Sequence, residues 1–256
     1  MIEEHKELEE KNPEGKFRKY LPNYSGMDVQ EICYTSRKDY KGRVIDYHMD
    51  LMRLEGDHER RPVIAFVHGG GFIQPCDRKQ AYISWIAQKL LSEGYVVISP
   101  DYPIYDQAED FQTAGEKTAI REAGNVLHEL YQYLKREEEK LLLDMNCAVL
   151  MGGSAGGWAS YGAIEQFPQD WDLFVNLWGA TANVPDVKAF PPVYTVHGTE
   201  DQVVPCAREY PIHKALDEAG VVNVLQLLEG ADHTPVMRTD EYLPNIYRFI
   251  KENVPR

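Results

Sequence analysis

One serine stands in the glycine-rich heptapeptide Met-Gly-Gly-Ser-Ala-Gly-Gly, which occupies residues 151–157. The heptapeptide follows an apolar run that is typical of a buried strand, and a predicted helix begins directly after it. In a G-x-S-x-G turn between a strand and a helix, the serine sits at a strained tip, so the residues two before and two after it must lack side chains. A glycine-rich turn with an incidental serine is the alternative, but the strand-turn-helix context favours Ser154 as a nucleophile.

A serine hydroxyl is a poor nucleophile near neutral pH unless a base removes its proton. In strand-to-helix turns of this type, the acid and then the histidine follow the serine along the chain. His233 lies in Gly-Ala-Asp-His-Thr-Pro, residues 230–235, between the last predicted strand and the last predicted helix. We therefore predict that His233 is the base, and that the other histidines are surface or core residues.

Two neighbouring carboxylates, Glu200 and Asp201, are candidates for the acid that orients the base. They lie in a loop just past a predicted strand, where a carboxylate would stand at the carboxyl edge of the sheet. We predict Asp201 as the acid, since a surface carboxylate beside it is the simpler interpretation of Glu200. His197 precedes the acid, so we interpret it as a structural partner within that loop.

The segment His-Gly-Gly-Gly-Phe, residues 68–72, follows another apolar run. Its glycines allow the N–H groups of Gly70 and Gly71 to point at the oxyanion of a tetrahedral intermediate, and Ala155 would add a third donor at the start of its helix. A phosphate-binding loop is the alternative, but neither G-x-x-x-x-G-K-[ST] nor G-x-G-x-x-G with a downstream acid occurs here. These three residues are the predicted oxyanion donors.

Short apolar segments alternate with longer helical segments after residue 63, a pattern typical of a parallel sheet covered by helices on both faces. Two earlier segments alternate apolar and polar residues, as on a half-exposed antiparallel edge. The predicted strands are residues 31–35, 44–54, 63–67, 95–99, 147–151, 173–177, 193–196 and 223–228. The predicted helices are residues 80–92, 113–140, 155–166, 207–219 and 240–252. The fold class is therefore α/β, and the 256 residues suit one domain with an N-terminal arm over about residues 1–25.

The net charge, the first residues and the cysteine spacing limit which partners, location and metals we expect. The formal charge of −14 would repel nucleic acid and anionic membranes at long range, so we expect neither as a partner. The first residues lack the basic and apolar regions of a signal peptide, which predicts a cytoplasmic location. The four cysteines have no metal-site spacing, so we expect no metal.

The combination of residues 68–72, Ser154, Asp201 and His233 in this order resembles the esterase branch of the α/β hydrolases, from about residue 46 onward. It looks most like the small bacterial acetylxylan and feruloyl esterases, in which an HGGG-F/W loop accompanies an H-G-x-x-D-x-x-V-P acid loop. The resemblance implies a mostly parallel sheet of about eight strands and no cofactor. The hormone-sensitive-lipase branch usually has an acidic residue where this chain has Gly153.

Only residues 180–192 separate two predicted strands at the place where cinnamoyl-type feruloyl esterases often carry a lid. We therefore expect no large lid domain, with the N-terminal arm and residues 103–115 as the segments that could cover the site. Phe72, Trp158 and Trp178 are the candidate substrate contacts, although aromatic residues at such places often belong to the core.

The expected activity is hydrolysis of short-chain acyl esters through an acyl-enzyme on Ser154, with acetyl groups on sugars or oligosaccharides as substrates. Arylformamidase-like or oligopeptidase-like amide hydrolysis is an alternative, although arylformamidases usually carry HGG-x-W where this chain has Phe72. A catalytically silent binding protein is an alternative of another class, since a fold does not decide a function. The sequence leaves the oligomeric state open.

Overall fold

Eight strands form a single sheet in the order β1-β2-β4-β3-β5-β6-β7-β8. The structure is a computed structural model and describes residues 23–181 and 183–254. The strands are β1 (Met27–Lys38), β2 (Val44–Leu54), β3 (Arg61–Val67), β4 (Val96–Pro100), β5 (Leu143–Gly153), β6 (Leu173–Leu177), β7 (Val193–Gly198) and β8 (Asn223–Leu228). β2 is antiparallel to both β1 and β4, and the remaining neighbours are parallel. The predicted mostly parallel sheet is thereby confirmed.

Helices cover both faces of this sheet, because the parallel strands are apolar on both sides. The helices are α1 (Ala81–Ser92), α2 (Ala108–Ala114), α3 (Glu116–Arg136), α4 (Ala155–Gln166), α5 (Glu209–Ala219) and α6 (Thr239–Asn253). α3, α4 and α5 contribute to the apolar core on one face, and α1 and α6 to the core on the other. The sheet is thus a buried middle layer from which loops emerge at the strand ends.

The predicted helix over residues 113–140 is wrong at both ends. The chain instead forms α2, turns at Gly115 with φ of 81°, and continues as α3 to Arg136. Positive φ is accessible to glycine at little cost, which explains the break. Part of the 103–115 segment, predicted as a covering loop, is therefore helical.

Pairing extends some strands beyond their apolar cores. β1 runs from Met27 to Lys38 because it pairs along almost its whole length with β2, whereas the sequence predicts only residues 31–35. β5 reaches from Leu143 to Gly153 because both of its neighbours pair with it. The last residues of β5 thereby bring Ser154 to the carboxyl edge of the sheet.

The N-terminal arm and residues 180–192 are two segments for which the sequence makes predictions about a cover over this edge. Residues 1–22 of the predicted N-terminal arm lie outside the described residues. Residues 180–192 contain no helix or strand, residue 182 not being described, so this connection carries no lid of regular structure. Among the described helices, none combines the length and apolar character needed to cross a membrane.

Candidate active site

The turn between β5 and α4 holds Ser154 in a strained conformation, with φ of 54° and ψ of −122°. A Cβ on Gly152 would lie 2.3 Å from the carbonyl oxygen of Gly156, and a Cβ on Gly156 would lie 2.1 Å from that of Val67. Neither distance is compatible with a side chain. The two glycines are therefore required for α4 to begin this close to β3 and β5, and this packing holds the serine at the tip of the turn.

Ser154, His233 and Asp201 form a continuous hydrogen-bonded chain across three loops. The Ser154 Oγ lies 2.9 Å from His233 Nε2, and His233 Nδ1 lies 2.7 Å from Asp201 Oδ2. A neutral imidazole that donates from Nδ1 to the carboxylate leaves Nε2 free to accept the hydroxyl proton. The arrangement is able to deprotonate the serine and to stabilise the imidazolium that results.

The Asp201 carboxylate is held by donors on both oxygens. Oδ1 accepts from the N–H groups of Val203 and Val204 at 2.9 and 2.8 Å. Burial alone would raise the pKa of this carboxyl, but hydrogen bonds from His197 and His233, together with the electrostatic interaction with His233 and the Val204 N–H, hold the pKa well below its ordinary value. Asp201 is therefore ionised and ready to orient a histidine.

Glu200 and His197, the neighbours of Asp201 considered in the sequence, have different positions in the structure. Glu200 is exposed, whereas Asp201 is buried and contacts His233. His197 does not lie in the loop, contrary to the sequence-based interpretation, but in β7, where it is fully buried. Its Nε2 donates to the Val204 carbonyl at 2.7 Å and lies 3.1 Å from Asp201 Oδ2. It thus ties the acid loop to the strand that carries it.

The glycine segment after β3 lies beside the serine. The N–H of Gly69 donates to the Tyr82 hydroxyl at 2.7 Å, which anchors the segment to α1. Gly70 has φ of 126° and no room for a Cβ, which would come within 2.4 Å of the Cys76 Cβ, and Gly71 has φ of 67°. Both glycines line the same cavity as Ser154 and Ala155. The structure thus brings the three predicted oxyanion donors together around the serine.

A cavity of about 500 Å³ opens above Ser154 and His233. The predicted contacts Phe72, Trp158 and Trp178 all line it. Phe72 and Trp178 are fully buried, so they form the floor and walls, while Trp158 is partly exposed. The volume falls within the usual range for small-molecule sites.

Several residues of the cavity wall could not be identified from the sequence. Phe111 of α2 stacks on Phe72 with 5.8 Å between ring centroids, so the 103–115 segment does cover part of the site. Arg208, at the end of a short 3₁₀ turn before α5, places its guanidinium 5.9 Å from the Trp158 ring centroid. Neither residue belongs to a motif, and only their position in the fold identifies them. The other wall residues missed by the sequence are Gln80, Tyr82, Val203, Val204, Asp232 and Thr234.

Behind the serine turn, a second carboxylate is fully buried. Glu209 accepts hydrogen bonds from the Tyr161 hydroxyl at 3.0 Å and from the Asn176 amide at 3.1 Å. Burial raises its pKa to about 7, against the opposing effects of the Tyr161 hydrogen bond, the electrostatic interaction with His197 and the Asn176 hydrogen bond. Glu209 does not line the cavity, so it is part of the support of the site.

The described residues contain no group of three or more His, Cys, Asp or Glu arranged to hold a metal ion. The polar residues that line the cavity include Ser154 and His233, together with Arg208 and the glycine segment after β3. This donor set suits acyl transfer to a hydroxyl nucleophile.

A family model described as BD-FAE matches residues 49–172 of the chain. The matched segment includes the glycine loop and Ser154 and ends before Asp201 and His233. A comparison with the curated proteins finds no match.

Solved structures with the same fold cover almost the whole chain. MGS-M1, an α/β hydrolase from a Medee basin deep-sea metagenome library, has a TM-score of 0.71 at 17% identity, over 90% of this chain and 99% of that one. A truncated carbohydrate esterase from gut microbiota has a TM-score of 0.70 at 16% identity, over 93% and 100%. The propionate-bound esterase Est2 of the planctomycete Thermogutta terrifontis has a TM-score of 0.67 at 18% identity, over 92% and 98%.

Proposed function

We propose that this chain, which has the α/β-hydrolase fold, is a serine carboxylesterase that hydrolyses short-chain acyl esters. The observation that carries the proposal is the hydrogen-bonded chain from Ser154 through His233 to Asp201, which opens into a cavity lined by Gly70 and Gly71. These are the groups that ester cleavage through an acyl-enzyme requires.

The proposed reaction proceeds in two halves. His233 removes the proton of the Ser154 hydroxyl as the oxygen attacks the ester carbonyl, and the N–H groups of Gly70, Gly71 and Ala155 stabilise the oxyanion. The protonated histidine then donates its proton to the departing alcohol. A water molecule, deprotonated by the same histidine, attacks the acyl-enzyme and releases the acid and the free serine.

The cavity and the comparisons support a small acyl group, with acetyl esters of sugars or oligosaccharides as the proposed natural class. The partly exposed rings of Trp158 and Phe111 line the cavity and offer flat apolar surfaces that suit a sugar ring or a short acyl chain. One structural relative is described as a carbohydrate esterase, and another is an esterase bound to propionate.

Replacement of Ser154 by alanine tests the nucleophile. We expect kcat for 4-nitrophenyl acetate to fall by at least ~10⁴-fold, since the residual rate would come from binding and the oxyanion donors alone. Circular dichroism should remain that of the wild type. Ser92→Ala, which removes an exposed hydroxyl at the end of α1, is the matched control and should keep wild-type kcat.

A fluorophosphonate probe provides an independent readout. It should add its mass to the peptide that contains Ser154 in the wild type and leave the alanine variant unlabelled. Unchanged turnover in Ser154→Ala, or an unlabelled wild type, would refute the proposal. Comparison of kcat/KM for acetylated sugars, feruloyl esters and N-formylkynurenine then decides between ester and amide substrates.

A further inference from the structure

Arg208 is the cationic side chain of the cavity wall. It ends the 3₁₀ turn Cys206–Arg208 that follows the acid loop, and it lines the cavity together with Ser154 and His233. Its guanidinium lies 5.9 Å from the Trp158 ring centroid, within the range of a cation–π contact. The ring supports the charged group from one side and leaves its N–H donors available.

Arg208 differs from most other described arginines because no protein acceptor engages it. Within the described residues its side chain makes no ion pair and no hydrogen bond, and only its backbone N–H donates, to the Pro205 carbonyl at 3.0 Å. The arginines that bind carboxylates instead are Arg37, Arg43, Arg60, Arg61, Arg78, Arg121, Arg136 and Arg238. The protein has a formal charge of −14, so a guanidinium that has no acidic partner is unusual in it.

The carboxylate of Asp232 also lines the cavity, yet it does not neutralise Arg208. Its Oδ1 accepts from the N–H of His233 at 2.7 Å and from the N–H of Gln202 at 3.4 Å. The two opposite charges therefore border the same space without forming an ion pair. A guanidinium presents several N–H donors in a planar fork that matches a carboxylate.

We propose that Arg208 forms an anion subsite, so that the preferred substrates are esters with a carboxylate on either the acyl or the alcohol part. The proposal rests on the proposed esterase function and specifies its substrate class. The donor fork would bind the substrate carboxylate while the ester carbonyl lies at Ser154, and the Trp158 ring would hold the fork in place.

Two matched pairs of esters test the subsite and separate its two sources of charge. On the acyl side, 4-nitrophenyl hydrogen succinate is compared with 4-nitrophenyl butyrate, in which a methyl group replaces the carboxylate. On the alcohol side, 4-acetoxybenzoate is compared with 4-acetoxybenzamide. For at least one pair, the wild type should show a higher kcat/KM for the charged ester.

The decisive variant is Arg208→Gln, in which the charged-to-neutral ratio of kcat/KM should fall about tenfold for the preferred pair. Arg208→Glu should reverse the preference. Arg248→Gln removes the same charge from α6, outside the cavity, and should keep the wild-type ratio. High salt should weaken the preference as well, since ions screen a partly exposed charge.

Each outcome has a separate meaning. A wild type that hydrolyses neutral esters but shows no preference in either pair would overturn the subsite and leave the esterase proposal intact. An equal loss of kcat/KM for charged and neutral esters in Arg208→Gln would overturn the subsite too, because Arg208 would then contribute only to the shape of the cavity. A failure of the esterase proposal would appear instead as absent turnover of all four esters.

Discussion

Asp201 is held more firmly than a carboxylate in a surface loop would be, because two backbone N–H groups and two histidines surround it. The two backbone bonds fix Oδ1, so that Oδ2 is directed at His233. The His197 imidazole, donating mainly to the Val204 carbonyl, holds the loop against β7. The orientation of the proposed base thus depends on contacts that lie beyond the serine and histidine themselves.

Replacement of Asp201 by asparagine should lower kcat for 4-nitrophenyl acetate by roughly 10³- to 10⁴-fold with a small change in KM. An asparagine amide that faces His233 Nδ1 favours the wrong imidazole tautomer, so Nε2 no longer accepts the serine proton. Steady-state kinetics provide the measurement. Glu200→Gln, which alters the exposed neighbouring carboxylate, is the control and should keep wild-type kcat. If the Glu200 variant lost activity and the Asp201 variant kept it, the assignment of the acid would be reversed.

At the scale of elements, the approach of α4 to β3 and β5 determines where the serine stands. A helix can begin this close to two strands only if its first turn carries no side chains on the strand-facing side, and Gly156 fulfils that condition. Gly152 at the end of β5 likewise has no side chain that would meet the first turn of α4. The glycines therefore serve packing between elements, and the position of the Ser154 hydroxyl at the tip of the turn is the consequence of that packing.

Gly156→Ala should destabilise the fold by about 3 kcal/mol, because its Cβ would overlap the Val67 carbonyl and α4 would have to move. Gly220→Ala is the matched control, at a helix end with φ of 72° and open space around the Cβ. The control should cost only about 1 kcal/mol, from its backbone conformation. Urea unfolding measures both variants. Equal losses of unfolding free energy in the two variants would contradict the prediction, because the overlap with the Val67 carbonyl would then add no cost.

For the whole molecule, the burial of Glu209 links stability to pH. The side chain is fully buried beside Tyr161 and Asn176. His213, whose Nε2 lies 3.6 Å from Glu209, has its pKa lowered by burial, so it provides no compensating charge near neutral pH. Burial raises the Glu209 pKa to about 7 from an ordinary value of 4.5. The folded state therefore binds a proton that the unfolded state releases between these two values.

Because the folded-state pKa is the higher one, the stability that protonated Glu209 contributes is fully present below pH 4.5 and is lost as pH rises toward 7. Relative to Glu209→Gln, the free energy of unfolding of the wild type should fall by ~3 kcal/mol across this interval. Urea unfolding at pH 5 and pH 8 measures the difference. Glu218→Gln, an exposed change on the same helix, should retain the wild-type pH dependence. Parallel pH curves for the wild type and Glu209→Gln would contradict the prediction.

The sequence by itself determined the features that depend on local spacing. Residues 151–157 identify a strained strand-to-helix turn, and the apolar segments predict the parallel sheet, because both patterns arise from interactions between residues that are close along the chain. The sheet then brings the ends of its parallel strands to one edge. Ser154, Asp201 and His233 follow three such ends, which is why their order in the sequence already predicted their meeting.

Only the tertiary structure decided which neighbouring residues share that edge. Asp201 rather than Glu200 turns inward because β7 and the His233 loop approach the acid loop from one side. Phe111 and Arg208 enter the cavity from segments that carry no motif, and Glu209 is buried although its residue type favours solvent. These outcomes depend on contacts between segments that are far apart in the sequence, and local sequence patterns do not predict such contacts.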